Sequence, residues 1–207
     1  MIKIVIFDIG RVLVEWEPEQ FYAAELGTCR AAAFFANVPM MERHFRSDAG
    51  ENFFDVIEET ALDFPDWATE IRMWAERWAD FTNTPIELSG MIKEKLIEKG
   101  IPVWGLSNFG VQNYPITRDQ IPSLQRFDRL FLSGELKIAK PDPAIYAHVE
   151  KEAGVDASEL YFIDDTPANI DAAAQRGWQT HLFRGPSGLL QDLMQHGLLE
   201  VGDFYDA

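Results

Sequence analysis

The chain has 207 residues, of which 47 % are hydrophobic and 25 % are charged, and its formal net charge is −16. This composition is typical of a soluble globular protein with room for one domain and a smaller insert, and the acidic balance argues against a nucleic-acid or anionic-membrane partner. Cys29 is the single cysteine, which excludes an intrachain disulfide and a cysteine-rich metal site.

Targeting and membrane segments are not evident in the sequence. No signal peptide precedes the first apolar run, and no apolar run approaches about 18 residues. We therefore expect a cytoplasmic protein without a membrane segment, and the sequence does not indicate its oligomeric state.

The first predicted element is a strand over residues 2–7, an apolar run that is broken only by Lys3. Such a run is typical of a strand buried on both faces of a parallel sheet. The strand is followed by Asp8, Ile9 and Gly10. A carboxylate at the carboxyl end of a central strand lies where open α/β sheets bind their ligands, although Asp8 alone would equally fit a surface turn.

Residues 18–81 show only helical patterns. Apolar side chains recur there at helical spacing, in three stripes formed by Phe21, Tyr22 and Leu26, by Phe53, Phe54, Ile57 and Leu62, and by Trp67, Ile71, Trp74, Trp78 and Phe81. We interpret this segment as an all-helical insert with a small aromatic core of its own, in which the tryptophans pack rather than contact a cofactor.

Strands and helices alternate after this segment. Residues 84–87 predict a capping box with Pro85 at the first helical position. Strands are then predicted at 101–106, 129–132, 160–163 and 179–183, and helices between and after them. This alternation predicts an α/β fold with a parallel sheet, in which 1–15 and 84–207 form the core domain and 16–83 form a helical cap above the carboxyl edge of the sheet.

Polar side chains occupy corresponding places at the ends of these strands or the starts of the helices that follow: Asp8, Ser107, Asn108, Lys140, Asp164 and Asp165. The carboxyl ends of parallel strands meet at one edge, so we expect these side chains to converge. Any one of them alone is typical of a turn or a solvated charge. Their coincidence at one edge is the informative observation.

This set of side chains is typical of phosphoryl transfer. Carboxylates at ~4 Å repel each other by about 4 kcal/mol per pair at an effective dielectric of ~20, and a magnesium ion relieves that repulsion. Asp8 can then act as a nucleophile that forms an aspartyl-phosphate. Lys140 can neutralise phosphoryl oxygens or keep Asp8 ionised. Ser107 and Asn108 can donate hydrogen bonds to the same oxygens.

The chain resembles the haloacid dehalogenase superfamily in four stretches, FDIGRVL, GLSN, KPDPAIY and FIDDTPANI. Their order and spacing are most similar to phosphatase-like members with a helical cap after the first motif. The resemblance implies a Rossmann-like core with strand order 5-4-1-2-3 and a magnesium ion held by Asp8, the backbone carbonyl of Gly10 and a motif-four aspartate. By position, Asp165 is the expected direct ligand, with Asp164 beside it or acting through water. Arg11 is a further expected phosphate contact, together with Gly10.

Gly10 is a departure from the family pattern. Phosphatases of this family usually carry an aspartate two residues after the nucleophile, where it serves as general acid and base. Losing such a group costs roughly 10²–10⁴ in rate. Glu15 and His44 are candidates to replace it, although both are more typical of surface residues.

The expected function is magnesium-dependent hydrolysis of a small phosphate monoester, for example a sugar phosphate. The resemblance also covers 2-haloacid dehalogenases, which lack the acid/base aspartate and the metal. Their fourth motif carries serine and asparagine where this chain has Asp164 and Asp165, whose charges would repel a carboxylate substrate. A non-catalytic protein that binds a phosphorylated ligand or a protein partner is a third hypothesis. Gly10 favours it, and the retention of nucleophile, lysine and metal carboxylates argues against it.

The substrate itself is not readable from the sequence. In this family the cap sets specificity, and this chain offers four candidate contacts near the cap edge: Trp16, Arg43, His44 and Arg46. Each of them is individually more typical of a surface or packing residue.

Overall fold

A five-stranded parallel sheet lies at the centre of the molecule. A computed structural model describes residues 1–204, so 205–207 of the predicted core lie outside the described residues. The strands are β1 (Ile4–Phe7), β2 (Val103–Ser107), β3 (Arg129–Leu132), β4 (Leu160–Asp164) and β5 (Gln179–Leu182). Their order is β3-β2-β1-β4-β5, which is the predicted order counted from the opposite edge. The predicted α/β fold is confirmed.

The three central strands are buried along their whole length, as expected for apolar runs with helices on both faces. β2 begins later than predicted and includes Ser107, and β4 extends to Asp164. Phe7, the last residue of β1, pairs with Ile163. Asp8 therefore leaves the sheet beside the last residues of both flanking strands.

Eleven α-helices lie within the described residues: α1 (Pro18–Leu26), α2 (Thr28–Asn37), α3 (Met40–Asp48), α4 (Phe53–Asp63), α5 (Ala68–Glu76), α6 (Glu87–Glu98), α7 (Tyr114–Arg118), α8 (Ser133–Leu136), α9 (Pro143–Ala153), α10 (Pro167–Gln175) and α11 (Pro186–Gln195). Short 3₁₀ turns occur at Pro65–Trp67, Trp78–Phe81, Pro122–Leu124, Ala157–Glu159 and Val201–Phe204. Within residues 1–204, none of the helices has the length and apolarity needed to cross a membrane.

The capping box predicted at residues 84–87 is wrong. Helix α6 begins only at Glu87 and has no side-chain cap. Pro85 instead forms an antiparallel bridge with Val14, and the Glu15 N–H donates to the Thr84 carbonyl at 2.9 Å. Backbone pairing between residues 14–15 and residues 84–85 therefore takes the place of the helical turn that the sequence predicted at 84–87. This side-by-side arrangement supports the division of the chain near 15 and 84, which stays a prediction.

The helical segment, residues 16–83, contains more helices than the three apolar stripes in its sequence predicted. Helices α2 and α3 follow directly after α1 and were not recognised in the sequence. On α4, Phe53 and Ile57 are buried as predicted, but Phe54 and Leu62 are 47 % and 76 % exposed. The buried face continues instead through Thr60 and its neighbours, at the three- and four-residue spacing of one helix face.

An aromatic core holds the helical segment together. Trp74 and Trp78 are buried, and the Tyr22 ring stacks on Phe34 with centroids 4.9 Å apart. The Trp78 indole N–H donates to Thr117 Oγ1 at 2.9 Å. Because Thr117 belongs to α7, this hydrogen bond links the helical segment to the sheet domain.

Trp74→Ala is expected to lower the free energy of unfolding by about 3–5 kcal/mol, because it removes a large, fully buried side chain and leaves a cavity. Urea unfolding followed by circular dichroism measures this change. Phe54→Ala is the control, since half of the Phe54 side chain is already exposed, and its expected effect is below about 1 kcal/mol. Equal losses in the two variants would contradict a central role for Trp74.

Candidate active site

The carboxyl edge of the sheet brings four predicted site residues into contact. Asp8 Oδ1 accepts a hydrogen bond from Ser107 Oγ at 2.7 Å and lies 3.0 Å from Lys140 Nζ. The same ammonium donates to Asp164 Oδ2 at 2.6 Å. All four side chains are buried. The ammonium of Lys140 therefore joins the carboxylates that follow β1 and end β4.

Asn108 fixes the backbone that carries Lys140. Its Nδ2 donates to the Lys140 carbonyl at 2.9 Å, and its Oδ1 accepts from the Lys140 N–H at 2.8 Å. Lys140 Nζ also donates to the Leu106 carbonyl at 2.8 Å. The side-chain amide of Asn108, which we predicted as a phosphate donor, is thus engaged in positioning the lysine.

A cluster of carboxylates lies at the same edge. Asp8, Asp164 and Asp165 each offer an oxygen within 4.8 Å of the other two. Hard oxygen donors at such spacing suit a magnesium ion. The donor set therefore fits the metal that the family resemblance implies.

The two motif-four aspartates differ in their surroundings. Asp164 is fully buried, and it accepts hydrogen bonds from Lys140, from the Thr166 N–H at 2.8 Å and from Asn169 Nδ2 at 3.0 Å. Asp165 is half-buried and lines the cavity described below. Asn169 was missed in the sequence, where a polar residue in the first turns of a helix gives no specific signal.

The electrostatics at the carboxyl edge of the sheet favour the binding of one further cation. Burial raises the pKa of Asp8 to about 6, and the Asp164 charge adds to this rise, while Lys140 and Ser107 oppose it. Burial and Asp164 also raise the pKa of Asp165. Burial lowers the pKa of Lys140, but the attraction of Asp164 and Asp8 outweighs it, so the net shift is upward. One ammonium does not neutralise three clustered carboxylates, and a bound cation would favour their ionised forms.

Gly10 lies in the cavity lining, and its backbone does not require glycine. Its φ lies outside the left-handed region, and a Cβ added at this position would meet no atom within 4 Å. Arg11 follows with a φ of 57°. Its Nε donates to the Trp16 carbonyl at 3.2 Å and lies 3.5 Å from Glu17. The guanidinium of Arg11 is therefore partly occupied by its contacts with Trp16 and Glu17, at the edge of the cavity.

The sheet edge opens into a cavity of about 330 Å³ that extends to the helical segment. Glu15, Trp16 and His44 line it, together with the residues of the sheet edge. His44 was expected at the surface, but it is buried, and its ring stacks on Trp16 with centroids 5.5 Å apart. Burial lowers the pKa of His44 to about 3, so it is neutral near pH 7.

The arginines of α3 lie outside the cavity lining. Arg43 pairs with Asp63 at 2.8 Å, and Arg46 pairs with Glu51 and Glu59. These ion pairs join α3 to α4 and the turn between them. The structure therefore does not place the two arginines with the other candidate substrate contacts.

Asp48 is a cavity residue that no pattern in the sequence indicates. Its carboxylate is buried, its Oδ1 has no hydrogen-bond partner within the described residues, and His44 Nε2 lies 3.7 Å away. Burial raises the pKa of Asp48 to about 7, against the effect of a backbone hydrogen bond with Gly110. The sequence of residues 47–50 predicts a loop, which hides this aspartate, but this prediction is wrong because α3 continues through Asp48.

Two phosphatases are among the known proteins to which this chain is similar. The chain is 25 % identical over 178 residues to a sesquiterpene phosphatase from Aspergillus oryzae, covering 84 % of this chain and 86 % of that protein. It is 25 % identical over 197 residues to a D-ribitol-5-phosphate phosphatase from Bacteroides thetaiotaomicron, covering 87 % and 91 %. A shorter match, 28 % identical over 81 residues and 39 % of this chain, spans only 15 % of a drimenol cyclase from Aspergillus calidoustus.

The fold is similar to that of a solved haloacid dehalogenase family enzyme from Bacteroides thetaiotaomicron, in complex with magnesium and inorganic phosphate. The two share 22 % sequence identity with a TM-score of 0.65, and the similarity covers 89 % of this chain and 96 % of the other. A family model for haloacid dehalogenase-like hydrolases matches residues 2–177. The chain therefore belongs to the haloacid dehalogenase-like hydrolases.

Proposed function

We propose that this hydrolase is a magnesium-dependent phosphatase that acts on the phosphate monoester of a small molecule through an aspartyl-phosphate on Asp8. The observation that carries the proposal is the position of Asp8, which contacts Ser107 and Lys140 and lies beside two further carboxylates at the cavity. The phosphatase relatives support the same chemistry.

The side chains at the edge have separate tasks in this mechanism. Ser107 and Lys140 both contact Asp8 Oδ1 and thereby fix the rotation of the nucleophilic carboxylate. Asp8 attacks phosphorus and the P–O bond to the alcohol breaks, so that an alkoxide departs and takes a proton from solvent. Water then attacks phosphorus of the aspartyl-phosphate and loses a proton to solvent, which releases inorganic phosphate and free Asp8. Lys140 stays charged throughout, since two carboxylates hold its proton.

Magnesium would be held by Asp8, the backbone carbonyl of Gly10 and Asp165, with Asp164 beside them. When bound, it supplies positive charge that offsets the repulsion between the carboxylates and the phosphate oxygens. Asp165 is the preferred direct ligand because Asp164 already accepts hydrogen bonds from Lys140, Thr166 and Asn169.

A turnover assay tests the function. Phosphate release from a panel of monoesters is measured with magnesium and with a chelator, and chloride release from chloroacetate is measured alongside. We expect phosphate release that depends on magnesium and no chloride release. Chloride release without metal would favour the dehalogenase alternative. Phosphate binding without any turnover would favour the non-catalytic hypothesis, for which Gly10 is the supporting observation.

Asp165→Ala is expected to weaken magnesium binding by about tenfold or more, because it removes a carboxylate ligand from the cluster. Isothermal titration calorimetry measures the affinity, and excess magnesium is expected to restore part of the activity. Asp171→Ala is the matched control, since Asp171 is exposed on α10. An unchanged magnesium affinity in Asp165→Ala would move the direct-ligand role to Asp164.

A further inference from the structure

One face of α3 lines the cavity. Met41, His44, Phe45 and Asp48 all belong to the cavity lining, and their spacing places them along one side of the helix. Met41 and Phe45 are 45 % and 49 % exposed, although both are large and apolar. Part of the apolar surface of Met41 and Phe45 therefore borders the cavity.

Aromatic rings form the other wall of the cavity. Trp16, Trp78 and Phe109 line it. The ring centroids of Trp16 and Trp78 are 5.1 Å apart, and those of Trp78 and Phe109 are 5.9 Å apart. Phe109 follows the predicted phosphate-binding residues Ser107 and Asn108, so the aromatic wall begins next to the phosphate subsite.

Several polar groups near these walls are already engaged. The Trp78 indole N–H donates to Thr117, and the Thr82 hydroxyl donates to the Trp78 carbonyl at 2.8 Å. The remaining acidic side chains of the lining beyond the sheet edge are Glu15 and Asp48. Asp48 Oδ1 and His44 Nδ1 have no hydrogen-bond partner within the described residues and could accommodate one or two hydroxyl groups. Against the apolar surface of Met41 and Phe45, however, the hydroxyl groups of a polyol would lose hydrogen bonds to water without replacement, which is unfavourable.

We propose that the cavity beyond the phosphate subsite binds an apolar alcohol moiety, so that the enzyme prefers phosphate monoesters of hydrophobic alcohols over those of polyols. This inference rests on the proposed phosphatase function. The exposed faces of Met41 and Phe45 become covered when such a substrate binds, and burial of apolar surface from both partners favours the complex. The partly exposed ring of Trp16, which lines the cavity, suits an aromatic or unsaturated body.

The test compares two esters that have the same kind of leaving group, a primary alcohol. The probes are phenethyl phosphate and D-ribitol 5-phosphate, and the readout is kcat/KM for phosphate release. We expect kcat/KM to be at least about tenfold higher for phenethyl phosphate, the scale of discrimination that a hydrophobic pocket provides. An equal or higher kcat/KM for D-ribitol 5-phosphate would overturn the inference and leave the phosphatase function intact.

A pair of variants tests the role of α3. Phe45→Gln is expected to raise KM for phenethyl phosphate about fivefold or more and to reduce the preference over D-ribitol 5-phosphate. Phe54→Gln is the matched control, because Phe54 is similarly exposed on α4 but lies outside the cavity lining, and its kinetics are expected to match wild type. Equal losses on both esters in Phe45→Gln would assign Phe45 a merely structural role and overturn its part in the inference.

Binding measurements separate failure of the inference from failure of the proposed function. Calorimetric titration uses the non-hydrolysable phosphonate analogues of the two esters on the wild-type protein. We expect tighter binding of the phenethyl analogue. If it binds tightly but neither ester is hydrolysed, the proposed phosphatase function fails and the apolar subsite stands. If the ribitol analogue binds as tightly or more tightly, the apolar subsite is refuted whether or not turnover occurs.

Discussion

Asp8→Asn is expected to reduce phosphatase turnover about a thousandfold or more while the fold persists. The amide is too weak a nucleophile to form the acyl-phosphate, and loss of an essential nucleophile has effects of this size or larger. The amide oxygen can still accept hydrogen bonds from Ser107 and Lys140, and Lys140 keeps its ion pair with Asp164. Loss of one of three clustered carboxylates also relieves repulsion at the edge.

Steady-state kinetics on the best ester and thermal unfolding of the same samples check this prediction. Asp171→Asn serves as the control, because it removes an exposed carboxylate on α10. The nucleophile assignment would be wrong if Asp8→Asn kept a tenth of the wild-type rate. A lowered melting temperature would mean that structural damage contributes to any loss of activity.

Gly10→Asp is expected to speed the slow step of turnover by about 10²–10⁴, the range that general acid–base catalysis supplies. In the proposed mechanism, the wild type has no acid at this position to protonate the departing alkoxide and no base to activate the water that attacks the aspartyl-phosphate. An activated aryl phosphate should therefore give a burst of one product equivalent followed by slow turnover, which is the signature of a covalent intermediate. The variant should shorten the slow phase and flatten the dependence on leaving-group acidity.

The structure shows that the backbone can accept this change. The φ of Gly10 lies outside the left-handed region, and an added Cβ meets no atom within 4 Å, so the strain that glycine replacement can cause is not expected here. Pre-steady-state kinetics on both proteins decides the matter. A wild type without a burst, and with a flat leaving-group profile, would contradict the prediction and would direct attention to Asp48 as the group that already transfers the proton.

The sheet and its polar edge were predictable because their signals are local. A strand buried on both faces must be apolar along its whole length, and β1, β2 and β4 meet that condition. A charged or hydroxyl residue that ends such a run stands out, as Asp8 and Asp164 do. The helical segment was harder to predict, because α2 and α3 carry many small or polar residues and their burial depends on partners elsewhere in the chain.

By itself, the sequence determined the α/β fold, the positions of its five strands along the chain and the side chains that meet at the carboxyl edge, since strand direction alone places those ends together. Only the tertiary structure decided that His44 is buried against Trp16, that Arg43 and Arg46 pair away from the cavity, and that Asp48 lines it. The physical reason is that burial and ion pairing depend on side chains from separate helices. Their packing brings these residues together, and no local pattern along the chain records it.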